Sequence, residues 1–270
     1  FFFNSHNYFF EEIAKFRAAR KIWAKIMKER FGVKNKKSQL CRFHTQTAGS
    51  TLQAQQIDNN IIRTTMQATA AIIGGTQSLH TNSKDEAISL PSENAAKLAL
   101  RTQQILAYET GLPDVADPLA GSYYIESLTD NIEKEVYKLI SKIDELGGAI
   151  KAIENNFQDT EIVNSAYEYQ KDIEKKNKII VGVNKYNEDN SYYNDTSLKI
   201  DEDAINNQLK RLKKFKKTRN INAVKSNLNS FKIAINKNIN LMPYIINCVK
   251  NNCTLGEICD VMKKIYGEHV

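Results

Sequence analysis

Short apolar runs alternate with longer segments of helical periodicity along the first 110 residues of the chain. The apolar runs cover 1–7, 38–46 and 76–83, and each of them ends in polar residues. Apolar positions at helical spacing follow each run, and they predict helices over 9–27, 57–73 and 91–109. We expect Pro91 to lie in the first turn of the third helix. The predicted buried stripe of the second helix is Ile57, Ile61, Ile62, Met66, Thr69, Ile72 and Ile73.

The repeated strand–helix unit predicts an α/β fold with a parallel sheet and helices packed outside it. The unit is about 37 residues long, judged by the spacing of His6, His44 and His80. Eight such units amount to ~300 residues, which is the size of a (βα)8 TIM barrel with modest insertions. Three units cannot close a barrel and would leave an exposed parallel edge. We therefore expect residues 1–112 to be the last three units of a barrel whose earlier strands lie upstream of Phe1.

From residue 113 onward the pattern predicts a mainly helical region. A loop at 117–130 leads into a helix at about 131–146, which Gly147 and Gly148 end. The other predicted elements are helical segments at 149–175, 201–217, 222–235, 239–250 and 255–266, a strand-like run at 178–186 and a polar loop at 187–197. Thr254 and Glu257 have the spacing of a capping box at the start of the last helix.

The composition is that of a globular protein, with 41% hydrophobic and 26% charged residues. The net charge is +7, and lysines are concentrated at 209–219. Ile205, Leu209, Leu212 and Phe215 recur there at helical spacing, so the lysines are interpreted as the solvent-facing side of an amphipathic helix. No aromatic-interleaved basic motif indicates a nucleic-acid partner. No run of ~18 apolar residues predicts a membrane span.

Four cysteines without a CxxC pair argue against both a disulfide framework and a structural zinc site. We therefore expect no protein-bound metal site and a reducing compartment, either cytoplasmic or, in a eukaryote, the mitochondrial matrix. The chain has no nucleophile elbow, no HExxH motif and no phosphate-binding GxxxxGKS/T motif. The glycines of GGTQ (74–77) precede a strand rather than a helix, so they are interpreted as the end of one element.

Polar residues at the ends of the three strands are the candidates for chemistry, because barrel active sites form at the carboxyl ends of strands. Three of the four histidines, His6, His44 and His80, fall at these positions. For each histidine, a satisfied and partly buried structural role is the open alternative. His44 and Gln46 occupy alternate positions and share one face of a strand, which favours a functional role for this pair. Amides bind hydroxyls and carbonyls without changing charge, so such a site does not indicate hydrolysis.

The stretch 42–91 reads RFHTQTAGSTLQAQQIDNNIIRTTMQATAAIIGGTQSLHTNSKDEAISLP. It closely resembles the coenzyme B12-dependent acyl-CoA mutases, above all the methylmalonyl-CoA mutase branch of that family. Supporting similarity runs through FFEEIAKFRAARKIWAKI (9–26), LALRTQQILAYETGLPDVADPLAGSYYIESLT (98–129), IIVGVNKY (179–186) and CTLGEICDVMKKIYGEH (253–269). The resemblance covers essentially the whole chain.

The resemblance implies a barrel that holds an acyl-CoA along its axis and adenosylcobalamin across the carboxyl ends of its strands. In this family, cleavage of the cobalt–carbon bond gives a 5′-deoxyadenosyl radical, which removes a substrate hydrogen and later returns it. The carbonyl-CoA group migrates in between. The cofactor carries this chemistry, while the protein supplies binding and orientation. The activity implied is the interconversion of (R)-methylmalonyl-CoA and succinyl-CoA.

Seven positions of this sequence match residues that line the site in that family. His44 and Gln46 match groups that line the radical site, and Gly49 matches a glycine whose backbone approaches the corrin ring. The other matches are to cofactor-binding or cavity residues, namely Gln77, Asn82, Glu86 and Ser89. Asn82 and Glu86 match the pair that hydrogen-bonds the adenosyl ribose. Without the resemblance, Glu86 would be interpreted as an acid of the first helical turn.

The sequence also departs from the family, because NSH at 4–6 replaces a glycine-containing segment and no role is carried over to His6. The residues that select the acyl group are expected upstream of Phe1, and the DxHxxG cobalamin-ligating motif is expected after Val270. Residues 113–270 would then be a helical linker toward a cobalamin-binding domain or small subunit, in a dimer or heterodimer. We expect these 270 residues alone to be inactive. The alternatives are a mutase for isobutyryl-CoA or a related acyl-CoA, and a non-catalytic fragment that binds partners.

Overall fold

The computed structural model describes residues 1–188 and 201–268 of the chain. Contacts between residues divide the chain into two compact units, Phe1–Leu198 and Lys199–Val270. The first part of the predicted helical region therefore packs with the strand–helix units rather than forming a separate body. Of the predicted polar loop at 187–197, residues 189–197 lie outside the described residues. Among the described residues, no helix combines the length and apolarity that crossing a membrane requires.

Three parallel strands form a sheet in the first unit, in the order β1-β2-β3. The strands are β1 (Phe2–Ser5), β2 (His44–Thr47) and β3 (Ser78–His80). Helices follow them in turn, namely α1 (Phe9–Lys25), α2 (Asn59–Ile73) and α3 (Glu93–Tyr108). The register pairs Phe2 with His44 and His44 with Ser78. The predicted α/β class and the three strand–helix units are confirmed.

Two predicted boundaries differ from the structure. A 3-10 turn at Lys36–Gln39 occupies the start of the run 38–46, so β2 is shorter than that run. Pro91 precedes α3 instead of opening its first turn, because Ser92 is the N-cap residue. The Ser92 hydroxyl accepts a hydrogen bond from the backbone N–H of Ala95 (3.3 Å), which satisfies one of the unpaired donors at the helix start.

The two faces of the sheet have different surroundings, because successive side chains of a strand point to opposite sides. On one face, Phe3 and Phe43 pack with Phe16 of α1, and the Phe16 and Phe43 rings are stacked with centroids 5.2 Å apart. Phe16 is fully buried, so this face forms the core of the unit. The opposite face carries the half-buried His44 and Gln46. The polar face is thus the one available for chemistry.

The helical part of the first unit begins earlier than predicted. α4 spans Tyr123–Glu145, whereas the sequence predicted a loop up to residue 130. Glu126 fixes the helix start, because its Oε1 accepts hydrogen bonds from the Gly121 N–H (2.8 Å) and from Nη2 of Arg17 on α1 (2.7 Å). The Arg17 guanidinium lowers the pKa of Glu126. This tertiary contact overrides the turn character of the sequence around Gly121.

The predicted helical segment 149–175 consists of two helices, α5 (Ala149–Glu154) and α6 (Phe157–Glu174). The break comes at Asn156, whose φ of 54° lies in the left-handed region. The right-handed helix therefore stops and restarts at this residue.

The run 178–186 is not a strand, so that prediction is wrong. Its described pairing is an isolated bridge between Val181 and Lys185. Asn184 holds the segment as a turn, because its side chain accepts a hydrogen bond from the Ile180 N–H (2.7 Å) and donates to the Lys178 carbonyl (2.7 Å). An asparagine that binds its own neighbouring backbone competes with pairing in a sheet.

The second unit is helical, as predicted. Its helices are α7 (Glu202–Thr218), α8 (Ile221–Asn236), α9 (Met242–Lys250) and α10 (Leu255–Tyr266). The predicted capping box is confirmed, since Thr254 and Glu257 each bind the other's backbone N–H. Arg219 Nη1 donates to Oε2 of Glu257 (2.6 Å), and the guanidinium lowers the pKa of Glu257 to about 2.

The lysine-rich helix α7 is amphipathic, as predicted, but among the described residues its apolar stripe is not buried. Ile205, Leu209, Leu212 and Phe215 are 37–58% exposed, and α7 has no buried residue. The core of this unit lies instead among the other three helices, where Val224, Phe231, Ile235, Cys248, Cys253 and Ile258 pack together.

Candidate functional site

The loops that follow the strands meet at one edge of the sheet, because the three strands are parallel. The loop after β2 begins at Ala48, and the loop after β3 runs from Thr81 to Ser92. The N–H of Asn82 donates a hydrogen bond to Oγ1 of Thr47 (2.9 Å), which joins the third loop to the end of β2. The loops are therefore in contact at the edge where the sequence predicts a site.

Four of the seven predicted site residues lie together at this edge. Gln46 Nε2 donates a hydrogen bond to Oδ1 of Asn82 (3.2 Å). A Cβ atom placed on Gly49 would lie 2.8 Å from Asn82 Nδ2 and 3.6 Å from Cγ of Glu86. Glycine therefore allows the β2–α2 loop to touch the β3–α3 loop directly. We refer to Gln46, Gly49, Asn82 and Glu86 as the loop cluster.

Asn82 has an unpaired hydrogen-bond donor inside the loop cluster. The residue is 2% exposed, and its Nδ2 group has no partner among the described residues. Leaving a buried donor without an acceptor costs ~1–3 kcal/mol. A ligand oxygen that accepted from Nδ2 would remove this cost. The loop cluster thus contains one polar group that the described residues do not satisfy.

Glu86 is exposed and lies in a turn, where its N–H donates to the Ser83 carbonyl (3.2 Å). The helix that follows begins only at Glu93, which is the acid of its first turn. The interpretation of Glu86 as a helix-start acid is therefore wrong. Its carboxylate lies beside Gly49, with Oε1 3.7 Å from the position a Cβ would take there.

His44 lies on the same face of β2 as Gln46, as predicted from their alternate positions. Its Nδ1 is 2.5 Å from Oγ of Ser78 on β3, and its ring centroid is 4.8 Å from that of Phe2 on β1. Both neighbouring strands therefore fix the orientation of the ring. His80, opposite Gln46 in the register, is exposed on β3.

Three predicted site residues lie outside the loop cluster, namely His44, Gln77 and Ser89. Gln77 Oε1 accepts a hydrogen bond from the Phe43 N–H (2.7 Å), and its Nε2 donates to the Gly75 carbonyl (2.8 Å). Phe43 and Gln77 precede β2 and β3, so they lie at the opposite end of the strands. The Ser89 hydroxyl donates to the adjacent Leu90 carbonyl (3.0 Å). The cofactor roles of Gln77 and Ser89 stay predictions.

The sequence analysis missed the buried polar residues that hold the loops. Gln67 of α2 is 1% exposed, and its Oε1 accepts from the Ala48 N–H (2.9 Å). Its Nε2 donates to Oδ1 of Asn7 (2.6 Å) and to Oγ1 of Thr51 (2.7 Å). The Gln67 side chain therefore connects Asn7, in the loop after β1, with Ala48 and Thr51, which lie on either side of Gly49 in the sequence. A glutamine among alanines and threonines on a helix gave no sequence signal of such a role.

Asn60 and Asp85 hold the loop after β3 in the same way. Asn60 Nδ2 donates to the Lys84 carbonyl (2.9 Å). Asp85 is 1% exposed and accepts from Oγ of Ser83 (2.6 Å) and from the Ser92 N–H (2.9 Å). Burial acts to raise the pKa of Asp85, but these hydrogen bonds outweigh it, so the pKa is lowered. The position of Glu86, which follows Asp85, is therefore set by a buried carboxylate.

The sequence profile of the methylmalonyl-CoA mutase family matches residues 1–268. The chain belongs to the methylmalonyl-CoA mutase family. The parallel strand–helix units described above are consistent with a portion of the TIM-barrel domain of these mutases. Within the described residues, no group of three or more histidine, cysteine, aspartate or glutamate side chains could hold a metal ion.

Individual members of the family have similar levels of sequence identity to this chain. The 2-hydroxyisobutanoyl-CoA mutase large subunit of Aquincola tertiaricarbonis is 42% identical over 273 residues, which cover all of this chain and 48% of that protein. The probable mitochondrial methylmalonyl-CoA mutase of Caenorhabditis elegans is 43% identical over 270 residues, and the mitochondrial methylmalonyl-CoA mutase of Homo sapiens is 41% identical over 271. Both matches cover all of this chain and 36% of the relative. The chain thus spans less than half the length of these relatives.

Proposed function

We propose that this chain is part of an adenosylcobalamin-dependent mutase that interconverts (R)-methylmalonyl-CoA and succinyl-CoA. The observation that carries the proposal is the buried, unpaired Nδ2 of Asn82 beside Gly49 and Glu86, in a chain of the mutase family. The cofactor, when bound, supplies the radical that rearranges the acyl-CoA carbon skeleton. The residues of this chain bind and orient the reacting groups.

The loop cluster fits the hydroxyl-bearing nucleoside of that cofactor. The unpaired Nδ2 of Asn82 is a donor for a ribose oxygen, and the exposed Glu86 carboxylate is an acceptor for a ribose hydroxyl. Gly49 has no side chain, which lets Asn82 and Glu86 lie directly against the β2–α2 loop. The cluster therefore offers a donor and an acceptor next to each other, which is the combination that a ribose with two hydroxyl groups requires.

His44 and Gln46 fit the role of holding polar groups of the acyl-CoA. The Nδ1 of His44 is engaged with Ser78, so its Nε2 is the ring nitrogen left to meet a substrate oxygen. The Gln46 amide is positioned by its hydrogen bond to Asn82, which links the substrate-facing strand to the loop cluster. Neither side chain is a strong acid or an easily oxidised thiol, so the pair orients a reactive group without consuming it.

The choice of acyl-CoA has a second candidate within the same reaction class. A relative named 2-hydroxyisobutanoyl-CoA mutase large subunit is as similar to this chain as the methylmalonyl-CoA mutases are. A mutase for isobutyryl-CoA or a related branched acyl-CoA is therefore the alternative proposal. The loop cluster contains no arginine or lysine that would bind a free substrate carboxylate. It therefore does not distinguish between the two candidate substrates.

The test is turnover by the purified natural protein supplied with adenosylcobalamin. Methylmalonyl-CoA, isobutyryl-CoA and 2-hydroxyisobutanoyl-CoA are offered separately. Because each product is an isomer of its substrate, the products are separated by liquid chromatography and identified against authentic standards. Formation of succinyl-CoA supports the primary proposal, and a straight-chain product from one of the other two substrates supports the alternative. A correctly folded protein that forms no rearranged product would overturn both substrate proposals and leave a non-catalytic, partner-binding role.

We further propose that the active protein includes a cobalamin-binding domain or small subunit, in a dimer or heterodimer. The "large subunit" in the name of the bacterial relative supports a heteromeric arrangement in this family. For the compartment, we propose the cytoplasm, or the mitochondrial matrix if the source is a eukaryote, as the names of the animal relatives indicate. Size-exclusion chromatography with light scattering tests the assembly.

A further inference from the structure

A cavity of about 530 Å³ lies in the first unit, beside the loop after β1 and the start of α2. Its wall includes His6, Arg63 and Lys178, and none of its lining residues is an aspartate or glutamate. Cavities of ~300–1,000 Å³ are the size that binds small organic molecules. The proposed mutase site does not use Arg63 or Lys178. The cavity therefore needs an explanation of its own.

Two positive charges line the cavity without a compensating carboxylate among the described residues. Arg63 Nη1 donates to Oδ1 of Asn60 (2.7 Å) and its Nη2 donates to the Val181 carbonyl (2.8 Å), and both acceptors are neutral. These bonds fix the plane of the guanidinium while its charge stays uncompensated. Burial lowers the pKa of Arg63, which is the response of a cation that has lost water without gaining an anion.

Aromatic rings hold the second cation in place. Nζ of Lys178 lies 4.4 Å from the ring centroid of Tyr169 and 5.5 Å from that of Tyr8. A cation–π contact attracts an ammonium group but does not neutralise it. His6, whose ring is edge-on to Tyr169 at 6.3 Å, adds a polar group to the same wall. The amine is therefore oriented by rings and available to an anion.

The rest of the wall has an apolar part, formed by Ile62, Ile179, Ile180 and Val181, and a neutral polar part that includes asparagines. Two cations next to an apolar surface match a ligand with a doubly charged group on an organic body, and a phosphate monoester carries about −1.5 to −2 charges at pH 7. Arginine binds phosphate with two parallel hydrogen bonds, and lysine binds it as a point charge. We propose that this cavity binds a small organic phosphate, with the phosphate on Arg63 and Lys178 and the organic group on the isoleucines.

The test uses AMP as the probe on the purified natural protein, by isothermal titration calorimetry. The variants distinguish this cavity from the acyl-CoA site of the proposed mutase, because Lys178 lines the cavity and is not part of that site. Inorganic phosphate and adenosine are titrated separately as the two halves of the probe. Lys178→Gln is compared with Lys178→Arg, which keeps the charge, and with Lys175→Gln, which removes an equal charge from an exposed residue outside the cavity.

AMP is expected to bind, and to bind more tightly than inorganic phosphate or adenosine. Lys178→Gln is expected to weaken AMP binding at least tenfold, since it removes a charge-assisted contact, while Lys178→Arg and Lys175→Gln stay within about threefold of wild type. Circular dichroism and thermal melting establish that the variants fold. Equal affinity of Lys178→Gln and wild type, or affinity for phosphate alone as high as for AMP, would each overturn the proposal. Mutase turnover is expected to be unchanged in Lys178→Gln, so the two proposals fail separately.

Discussion

Replacing Gly49 by alanine tests the contact on which the loop cluster depends. The added methyl would lie 2.8 Å from Nδ2 of Asn82, whereas ordinary Cβ contacts begin at 3.4 Å. The overlap of about 0.6 Å must be relieved by moving either the loop or the amide. Backbone strain does not contribute, because the φ of Gly49 lies outside the left-handed region.

Asn82 cannot move without cost, because its surroundings hold it from three sides. Its Oδ1 accepts from Gln46, its N–H donates to Thr47, and its side chain is buried. Overpacking of a closely packed site costs ~1–3 kcal/mol, and loss of the Gln46 hydrogen bond accounts for ~0.5–1.5 kcal/mol of that. We expect Gly49→Ala to lower the free energy of unfolding by ~1–3 kcal/mol and to weaken adenosylcobalamin binding at least tenfold.

Chemical denaturation and equilibrium dialysis of the cofactor measure the two effects in the natural protein. The matched control is Gly256→Ala on α10, where a Cβ would meet nothing within 4 Å. That change should be neutral or stabilise the helix by ~0.5–1 kcal/mol. The decisive comparison repeats Gly49→Ala in an Asn82→Ala background, which removes the amide. The reasoning is refuted if Gly49→Ala costs as much in that background as it does alone.

Three further predictions address individual side chains. Glu86→Gln should weaken use of adenosylcobalamin by about one to two powers of ten, since a hydroxyl bound to a carboxylate contributes ~1.5–3 kcal/mol; wild-type kinetics and affinity would contradict this. Glu257, whose pKa is about 2 beside Arg219 against an ordinary value of 4.5, should contribute stability that is complete above pH 4.5 and is lost as the pH falls toward 2. Acid denaturation of Glu257→Gln should lack this dependence, and an unchanged pH profile would refute it. His44→Ala and His80→Ala should leave the spectroscopic signature of nitrogen ligation to cobalt intact, because neither histidine lies in a DxHxxG motif.

The strand–helix order was predictable because it rests on local patterns that the tertiary structure does not change. Short apolar runs and helical stretches followed each other with little ambiguity, and the three parallel strands, each three or four residues long, confirm the order. The start of α4 was not predictable, because it depends on Glu126 contacting Arg17, a partner far away in the sequence. The turn held by Asn184 was not predictable either, because the apolar residues around it have the composition of a strand.

The buried face of α2 shows where periodicity fails. The predicted stripe included Ile62 and Met66, yet these side chains are 65% and 49% exposed. The face that packs against the rest of the unit carries small and amide residues such as Asn60, Gln67 and Ala68. A helix that holds loops by hydrogen bonds buries polar side chains, and hydrophobic spacing then identifies the wrong face.

The site itself was predicted in part from the fold. Strand ends of a parallel sheet share an edge, so the sequence predicted that polar residues would gather there, and Gln46 and Asn82 form a hydrogen bond at this edge. The packing of Asn82 on Gly49 followed from no pattern in the sequence, because it requires two loops to be placed to within a fraction of an ångström. The position of Gln77 at the far end of the strands was not predictable for the same reason. It is fixed by a hydrogen bond from the Phe43 N–H, which depends on how β2 and β3 are aligned.

The buried polar residues at this edge differ in whether all their hydrogen-bonding atoms have partners. This difference separates the residues that hold the loops from the residue proposed to bind a ligand. Gln67 and Asn60 use both their amide oxygen and their amide nitrogen on loop atoms, and both Asp85 oxygens accept hydrogen bonds. Asn82 is equally buried, yet its Nδ2 group has no hydrogen-bond partner in the part of the chain that the structure describes. An unpaired buried donor is costly, so it is a candidate contact for a ligand. The three satisfied residues act as a rigid frame for the loops, and under the proposed function the donor of Asn82 is the group that a ligand would bind.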